Sequence, residues 1–244
     1  DAMSAGHVDV VTVDLVYAWE LQDYLLPIEA SCLPADLLAS LKPGLLEHFQ
    51  TRQGLQMALP MYDAYGIFYY RSDLLHEYNF SEPGPEGWTW DEVTHIARTV
   101  KEGETAKHED TEFDGFIWGG MDYEGLTCVT SELLADMGVD RWIEDDGEIV
   151  IAKDPRVKAA LKHMAQWVSP LANETAISPV RIFTAEESFV RQRFCQEGRA
   201  MFARGWPGMS RICNRLGMAG KFGMVRSPGF ARGRGHGTAG GEGL

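Results

Sequence analysis

The sequence predicts an α/β fold, in which strands and helices alternate along one chain. Three features carry this prediction: β-branched or aromatic runs of strand length, helical spacing with recognisable caps, and Gly- or Pro-rich turns between them. With 244 residues, 45% of them hydrophobic, the chain has the length of one large domain or two small lobes and can bury a core. This composition excludes disorder as the main description, and the alternation places ligand sites in loops beyond the strand ends.

The first predicted elements are a strand, a helix and a second strand. Residues 8–14 form a β-branched run typical of a buried strand, and helical spacing follows over residues 21–28. Residues 55–60 are predicted to be extended, residues 65–70 form a strong aromatic strand, and a short helix follows at 73–78.

The central helices have the clearest end signals. Thr89 stands at an N-cap position with Glu92 at capping-box spacing, which predicts a helix to about residue 100. Asp154 followed by Pro155 begins a helix that is predicted to continue through residue 168. The other predicted elements are strands at 113–118, 200–203 and 222–225, helices at 126–137, 184–197 and 212–216, Gly198 as the residue after a helix end, and a hairpin at 141–151 that turns at 145–147.

The chain is strongly acidic, with a formal net charge of −14. Such a surface argues against nucleic-acid binding, which requires stripes of Lys and Arg, and no apolar run approaches the roughly 20 residues of a membrane helix. Residues 101–150 contain 15 Asp or Glu and 3 Lys or Arg. A solvated face is the favoured interpretation of this stretch, and attraction of a cation or a basic partner is the alternative.

Cysteine and histidine spacing does not indicate a metal or cofactor site. The four cysteines are Cys32, Cys128, Cys195 and Cys213, and no two of them form a C-x-x-C pair. Cys195 and Cys213 can pair in an oxidising compartment, although buried free thiols are the favoured interpretation. The seven histidines are scattered, and the G-x-G-x-x-G letters at 235–240 neither follow a clear strand nor open a helix. We therefore expect no metal and no cofactor.

Aromatic and charged residues occur together at the ends of four predicted strands. The four groups are Asp14, Tyr17 and Trp19; Tyr62, Asp63 and Tyr65; Trp118, Asp122, Tyr123 and Glu124; and Arg204 and Trp206. An aromatic face stacks on the C–H face of a sugar ring, and a carboxylate accepts hydrogen bonds from hydroxyl groups. For any single residue, packing in the core is an equally good interpretation, but four such groups together predict a neutral polyhydroxyl ligand.

Seven segments of the chain match sequence motifs that one known protein family contains in the same order. They are HVDVV at 7–11 against P-D-V, with His7 where Pro is usual; YLLPI at 24–28 against G-x-L-x-P-L; LP at 59–60 through YYRSDLL at 69–75 against P-x₇-L-Y-Y-N-K-D-L-L, with Arg71 and Ser72 in place of Asn and Lys; WTWDE at 88–92 against P-x-T-W-D-E; GRAM at 198–201, after Phe194, against F-x-x-G-x-A-A-M; Trp206 in a G-x-W turn; and GGEGL at 240–244 against G-G-x-G-L. Together they resemble the sugar-binding family 1 branch of bacterial ABC-transporter extracellular solute-binding proteins, which includes maltose-binding proteins.

This resemblance implies a two-lobed α/β fold of the periplasmic-binding-protein type II class. Because members of the family are longer, the chain is expected to be an internal fragment, incomplete at both termini. Residues 1–63 are expected to be part of lobe one, with 239–244 returning to it, and residues 64–238 most of lobe two. The crossings between lobes are expected near 63–65 and 238–241.

The resemblance also implies a function without catalysis. The chain is expected to act as the periplasmic or cell-surface carbohydrate-binding component of an ABC importer, which captures a mono- or oligosaccharide by hinge closure and delivers it to a membrane permease with a separate ATPase. A monomer without nucleic-acid partners is expected. The expected ligand-binding residues are Asp14, Tyr17 and Trp19 in lobe one, Asp63 and Tyr65 at the hinge, Trp118, Asp122, Tyr123, Arg204 and Trp206 in lobe two, and Gly240 and Gly241, where the backbone can approach the ligand.

Two alternatives remain open at the level of sequence. Asp14 with Asp63, or Asp122 with Glu124, has the composition of a glycosidase carboxylate pair, which requires a separation of about 5–9.5 Å. The other alternative is a binding protein for a non-sugar solute, such as a polyol or glycerol phosphate. A phosphate group would require more basic residues than Arg204 alone.

Overall fold

The computed structural model describes residues 9–42, 44–51, 53–108, 112–144, 146–170 and 175–244. The chain divides into two compact units, one formed by Asp1–Tyr65 with Ala239–Leu244 and the other by Gly66–Thr238. His7, Val8 and Asp145, which contribute to the predicted first strand and hairpin turn, lie outside the described residues. Within the described ranges, no helix has both the length and the apolar character that a membrane span requires.

The first unit is built on a three-stranded antiparallel sheet. Its strand order is β1-β7-β2, so the late strand β7 pairs with both early strands. The strands are β1 (Val13–Asp14), β2 (Pro60–Tyr65) and β7 (Ala239–Gly243), and they are joined by helix α1 (Ala35–Ser40) and by 3₁₀ turns at Leu15–Tyr17, Gln22–Tyr24, Ala30–Cys32 and Glu47–Phe49. A small apolar cluster of Val13, Ala18, Phe49 and Ala58 forms its core.

Two sequence predictions in this unit are wrong in extent or type. Among the described residues of the predicted strand at 8–14, only Val13–Asp14 is a strand, because the pairing with β7 ends at these two residues. The predicted helix at 21–28 is only a 3₁₀ turn at Gln22–Tyr24. Pro27 accounts for this, since the residue before a proline is driven out of helical conformation.

The second unit contains a four-stranded sheet of order β4-β5-β3-β6. Its strands are β3 (Ile67–Arg71), β4 (Asp114–Ile117), β5 (Ala200–Gly205) and β6 (Phe222–Val225). β4 is parallel to β5, whereas β3 is antiparallel to both β5 and β6. Every residue of β4 and β5 is buried, as expected for strands covered on both faces. The carboxyl ends of β4 and β5 and the start of β3 therefore lie at one edge of the sheet, where Ile67 pairs with Gly205.

Helices cover this sheet, and two of them, α3 and α5, have the caps that the sequence predicts. They are α2 (Ser72–Glu77), α3 (Trp90–Lys107), α4 (Glu124–Asp136), α5 (Pro155–Val168), α6 (Glu187–Arg191) and α7 (Met209–Cys213), with 3₁₀ turns at Ile151–Lys153 and Val180–Thr184 and π-helical turns at Gln192–Gln196 and Asn214–Met218. The capping box is confirmed: the Thr89 hydroxyl accepts from the Glu92 amide, and the Glu92 carboxylate accepts from the Thr89 amide. The Asp154 cap with Pro155 is also confirmed, and Gly198 has a left-handed φ of 65° after the helix.

Other predictions in this unit differ in their bounds. The run at 65–70 contains two strands, because β2 ends at Tyr65 and β3 begins at Ile67 in another sheet. The predicted hairpin at 141–151 has a single antiparallel bridge between Ile143 and Ile149 and no strand among its described residues. Both of these isoleucines are exposed, and an isolated hairpin without a third strand is only marginally stable.

Cys195 and Cys213 form a disulfide, so the favoured interpretation of two free thiols is wrong. Cys195 lies in the π-helical turn after α6 and Cys213 is the last residue of α7, which brings their Cα atoms to 4.4 Å. Their separation of 18 positions does not reveal this proximity, which depends on how the two helices pack. Cys32 is exposed and Cys128 is buried, both as free thiols.

Removal of the disulfide is expected to lower the free energy of unfolding by about 3 kcal/mol, because the bond closes a loop of intermediate length in the unfolded chain. Urea unfolding of the double variant Cys195→Ala/Cys213→Ala, followed by circular dichroism, measures the effect. Cys32→Ala is the control, since it removes an exposed free thiol. Unfolding midpoints that match in the double variant and the parent chain would contradict a stabilising disulfide.

Candidate functional site

A depression of about 220 Å³ lies at the carboxyl-end edge of the sheet in the second unit. It is smaller than the roughly 300–1,000 Å³ of sites for drug-sized ligands, so its size suits one ring-sized group. Its lining comes from the segment after β4 and the start of α4, from α6, from the end of β5, and from α7 with the turn that precedes it. The lining residues are Gly119, Tyr123, Gly125, Glu187, Val190, Arg191, Arg204, Gly205, Trp206, Gly208, Met209 and Ile212.

Trp206 is held in place from several directions. It directly follows β5, and its carbonyl oxygen accepts a hydrogen bond from the Tyr69 hydroxyl at 2.7 Å. Its indole Nε1 donates to Glu187 Oε1 at 2.6 Å. The guanidinium carbon of Arg204 lies 4.2 Å from the indole centroid, in cation–π geometry. The half-buried indole is therefore fixed in orientation before any ligand binds.

Arg204 and Glu132 form a buried ion pair behind this aromatic wall. Arg204 Nε and Nη2 both donate to Glu132 Oε1, at 3.1 and 2.7 Å, and the side chains are only 6% and 8% exposed. Burial by itself lowers the pKa of Arg204, but the neighbouring Glu132 carboxylate outweighs it and raises the pKa above its usual value. Arg204 therefore remains charged, with that charge balanced inside the protein.

Tyr123 contributes a hydroxyl group without a protein partner. Its Oη is buried and makes no hydrogen bond to any described residue. A Cβ at Gly119 or Gly125 would stand 2.3 or 2.2 Å from Tyr123 Oη, which shows that the tyrosine lies directly against these two glycines. Burial, together with the nearby Glu187 carboxylate, raises the pKa of Tyr123 to about 12. The group is thus a neutral hydroxyl that can donate to or accept from a bound molecule.

Of the residues expected in lobe two, the structure brings Tyr123, Arg204 and Trp206 together. Trp118 lies instead in the core, with 1% of its surface exposed and its Nε1 donating to the Ser178 hydroxyl at 3.2 Å. Asp122 is exposed and is not among the lining residues.

Sequence reasoning missed Glu132, Glu187 and the apolar wall of Val190, Met209 and Ile212. The available signal for Glu132 was its spacing in α4, since it stands four and three residues after Cys128 and Val129 on the face that the helix buries.

The residues expected in lobe one and at the hinge lie in the first unit. Asp14 caps the turn that follows β1, since its carboxylate accepts from the Val16 amide at 3.2 Å. Tyr17 and Trp19 come directly after it and are 51% and 43% exposed. On the same sheet, Gly240 pairs with Ala64 and Gly241 with Asp63. Gly241 has no room for a side chain, because a Cβ there would stand 2.4 Å from the Tyr62 carbonyl oxygen.

Asp63 does not have the electrostatics of a general acid. It forms an ion pair with Lys42, whose ammonium group also lies 5.3 Å from the centroid of the Tyr65 ring. The hydrogen bond from Lys42 lowers the pKa of Asp63, whereas a catalytic acid at neutral pH needs a raised pKa. Nothing in this geometry favours the glycosidase alternative at Asp14 and Asp63. Among the described residues, no group of three or more His, Cys, Asp or Glu is arranged to hold a metal ion.

The chain belongs to the bacterial extracellular solute-binding protein family, whose sequence profile matches residues 2–193. A probable ABC transporter-binding protein of Deinococcus radiodurans is 29% identical over 239 residues, which cover 97% of this chain and 53% of that protein. The chain thus spans about half the length of this curated relative.

Solved structures of similar proteins define the fold. Maltose-bound MalE3 of T. maritima superposes with a TM-score of 0.81 at 29% identity, over 99% of this chain and 58% of that one. A solute-binding protein of Thermotoga lettingae TMO bound with α-D-tagatose gives 0.78 at 20% identity, over 99% and 59%. One from Agrobacterium vitis S4 with D-mannitol gives 0.75 at 17% identity, over 99% and 55%. The predicted α/β class, that of two-lobed periplasmic binding proteins, is confirmed.

Glu132→Ala is expected to lower the free energy of unfolding by about 3–5 kcal/mol, because it leaves the Arg204 guanidinium buried without its carboxylate. The double variant Glu132→Leu/Arg204→Met is expected to recover most of this loss, since it removes both charges together. Urea unfolding followed by circular dichroism measures both. Glu148→Ala, which breaks an exposed pair with Lys153, is the control and should change stability by less than about 1 kcal/mol. Strictly additive losses in the double variant would contradict the buried pair.

Proposed function

We propose that the chain belongs to the carbohydrate-binding component of an ABC importer, and that the depression in its second unit holds one ring of the sugar. Membership of the solute-binding family supports the transport role. The 29% identity to a maltose-bound protein supports the carbohydrate class of ligand. On this proposal the protein binds its ligand and does not transform it.

One observation carries the proposal: a fixed indole and an unpartnered phenolic hydroxyl line the same small depression. Arg204 covers one face of Trp206, so the opposite face is the candidate stacking surface for the C–H face of a sugar ring. The Tyr123 hydroxyl is buried without a partner, and a sugar hydroxyl would satisfy it. An apolar surface beside one or two placed polar groups is what a ring-shaped polyhydroxyl ligand requires.

Charge balance around the depression favours a neutral ligand. Among the lining residues, Arg204 is paired with Glu132, and Arg191 lies 3.5 Å from Glu187. A phosphate or carboxylate group that displaced Glu132 from Arg204 would leave a buried carboxylate unpaired, so among the described lining residues Arg191 is the one cation open to it. We therefore place a neutral sugar or polyol ahead of glycerol phosphate.

We further propose that binding closes a hinge. Two peptides, Tyr65–Gly66 and Thr238–Ala239, connect the units. A ligand that contacts both units binds the closed form better and shifts the equilibrium toward it. Asp14, Tyr17, Trp19, Asp63, Tyr65, Gly240 and Gly241 are the proposed contributors from the first unit.

The proposed partner is a membrane permease served by a separate ATPase, and the proposed location is extracytoplasmic, in the periplasm or at the cell surface. The family supports both. The Cys195–Cys213 disulfide supports the location independently, because disulfides persist in oxidising compartments and are rare in the cytosol. The protein is proposed to act as a monomer.

A thermal-shift and calorimetric panel of maltose, tagatose, mannitol and glycerol phosphate tests the ligand class. We expect a neutral sugar or polyol to raise the melting temperature and glycerol phosphate to leave it unchanged. For the best ligand, Trp206→Ala is expected to weaken binding about 30-fold, from the loss of about 2 kcal/mol of apolar contact. Tyr123→Phe is expected to weaken it about fivefold, from the loss of one hydrogen bond.

Tyr78→Phe is the matched control, because the hydroxyl of Tyr78 bonds to Glu104, away from the depression. Its affinity should equal that of the parent chain. Tight binding of glycerol phosphate alone would contradict the proposed class of ligand. Release of hydrolysis products from maltose would contradict the non-catalytic role. Unchanged affinity in Trp206→Ala would place the ligand elsewhere.

A further inference from the structure

One carboxylate oxygen in the second unit accepts three hydrogen bonds. Glu132 Oε1 receives Arg204 Nε at 3.1 Å, Arg204 Nη2 at 2.7 Å and the backbone amide of Thr238 at 3.0 Å. Thr238 is the last residue of this unit. The Thr238 hydroxyl also donates to the Cys128 carbonyl oxygen at 2.9 Å, and Cys128 lies one turn before Glu132 in α4. The exit of the chain from the unit is therefore fastened to the ion pair behind the depression.

The entry of the chain is fastened to the same place. Gly66 is the first residue of the unit, and its amide donates to the Thr238 carbonyl oxygen at 3.0 Å. A Cβ on Gly66 would stand 2.0 Å from Glu132 Oε1 and 2.7 Å from Arg204 Nη2. The Gly66 backbone thus packs directly against the pair, and only glycine fits there.

These bonds form a continuous set of contacts from Trp206 to the backbone at both ends of the second unit. The Trp206 indole lies on the Arg204 guanidinium, the guanidinium bonds to Glu132, and Glu132 bonds to the backbone at the exit, which is paired with the entry. Because the donors share one acceptor oxygen, a displacement of the guanidinium moves the oxygen to which the Thr238 amide is bonded. The second unit has another ionic cluster at Asp114, Arg181 and Arg193, in which Asp114 and Arg193 are buried. Its ion pairs among the described residues involve neither Gly66 nor Thr238.

We infer that Glu132 is a positioning residue that couples the Trp206 wall of the depression to the backbone at both ends of the second unit. It does not line the depression, so it acts through Arg204. The inference deepens the proposed function and rests on it only where a sugar is used to perturb the wall. A change in the wall alone, made by mutation, must be transmitted in the same way.

Hydrogen exchange at the amides of Gly66 and Thr238 tests the coupling without any ligand. In the 244-residue chain, Trp206→Ala is expected to raise exchange at both amides at least about twofold, the smallest change that a coupled pair of this kind gives. In the Glu132→Gln background, Trp206→Ala is expected to add nothing further. Equal effects of Trp206→Ala in the two backgrounds, or no effect in either, would overturn the inference.

Two further variants separate coupling from loss of structure. Glu104→Gln removes a helix carboxylate that is 9% exposed, close to the 8% of Glu132, and that bonds to Tyr78 and Lys107. In that background the full response to Trp206→Ala should remain, and its loss there would mean that any buried carboxylate gives the effect.

If Glu132→Gln does not fold, Arg204→Lys keeps the charge but loses the paired Nε and Nη2 donors. It should raise exchange at Thr238, and an unchanged rate there would overturn the inference.

A ligand arm uses maltose as the probe. We expect maltose to slow exchange at Gly66 and Thr238 in the parent chain, and to bind Glu132→Gln while producing a smaller change at those amides. If maltose binds both and slows exchange equally, the coupling is wrong and the proposed function stands. If maltose does not bind the parent chain, the carbohydrate proposal is weakened, and the ligand-free comparison still decides the coupling.

Discussion

The buried ion pair between Arg204 and Glu132 is the constraint on which the arrangement of the second unit's site depends. A guanidinium that is 6% exposed must be matched by a carboxylate, since an unpaired buried charge costs several kcal/mol. Meeting this requirement fixes the position of α4 against the end of β5. It also places the guanidinium against the Trp206 indole. Position 66 lies so close to the ion pair that only glycine fits there. The aromatic wall and the backbone at the ends of the unit therefore share one electrostatic support.

Local chemistry made much of the fold predictable. The capping box at Thr89 and the Asp154-Pro155 helix start contain their own hydrogen-bonding groups, so their positions follow from a few adjacent residues. The fully buried strands β4 and β5 are apolar enough to be recognised alone. The predictions of the first strand and of the helix after Trp19 were wrong because non-local contacts and a later residue decide these segments. Their residues have suitable propensities, but strand pairing with β7 and the proline at position 27 decide the outcome.

The site was predictable only in part, and the two tryptophans show why. Trp118 and Trp206 both follow a buried strand, yet one is sealed in the core beside Trp167 and the other lines the depression. Strand-end position does not tell which way a side chain points, because that depends on the helix packed above it. The partner of Arg204 was equally hidden. Glu132 lies 72 positions away in the chain, and only the packing of α4 brings the two together.

The acidic stretch at 101–150 also changes meaning in the folded chain. A solvated face was the favoured interpretation, and most of the described acids in this stretch are exposed, but Glu104, Asp114 and Glu132 are buried. Asp114 is matched by Arg181 and Arg193, Glu132 by Arg204, and Glu104 by Lys107. These three acids are therefore balanced by neighbouring cations, and the remaining described acids of the stretch are half-buried or exposed. The same balance leaves the depression with paired charges, one phenolic hydroxyl and an aromatic face. On the proposed function, such a surface selects a neutral ring by its shape and hydrogen-bonding pattern, because Arg204 is already paired with Glu132 and Arg191 lies beside Glu187.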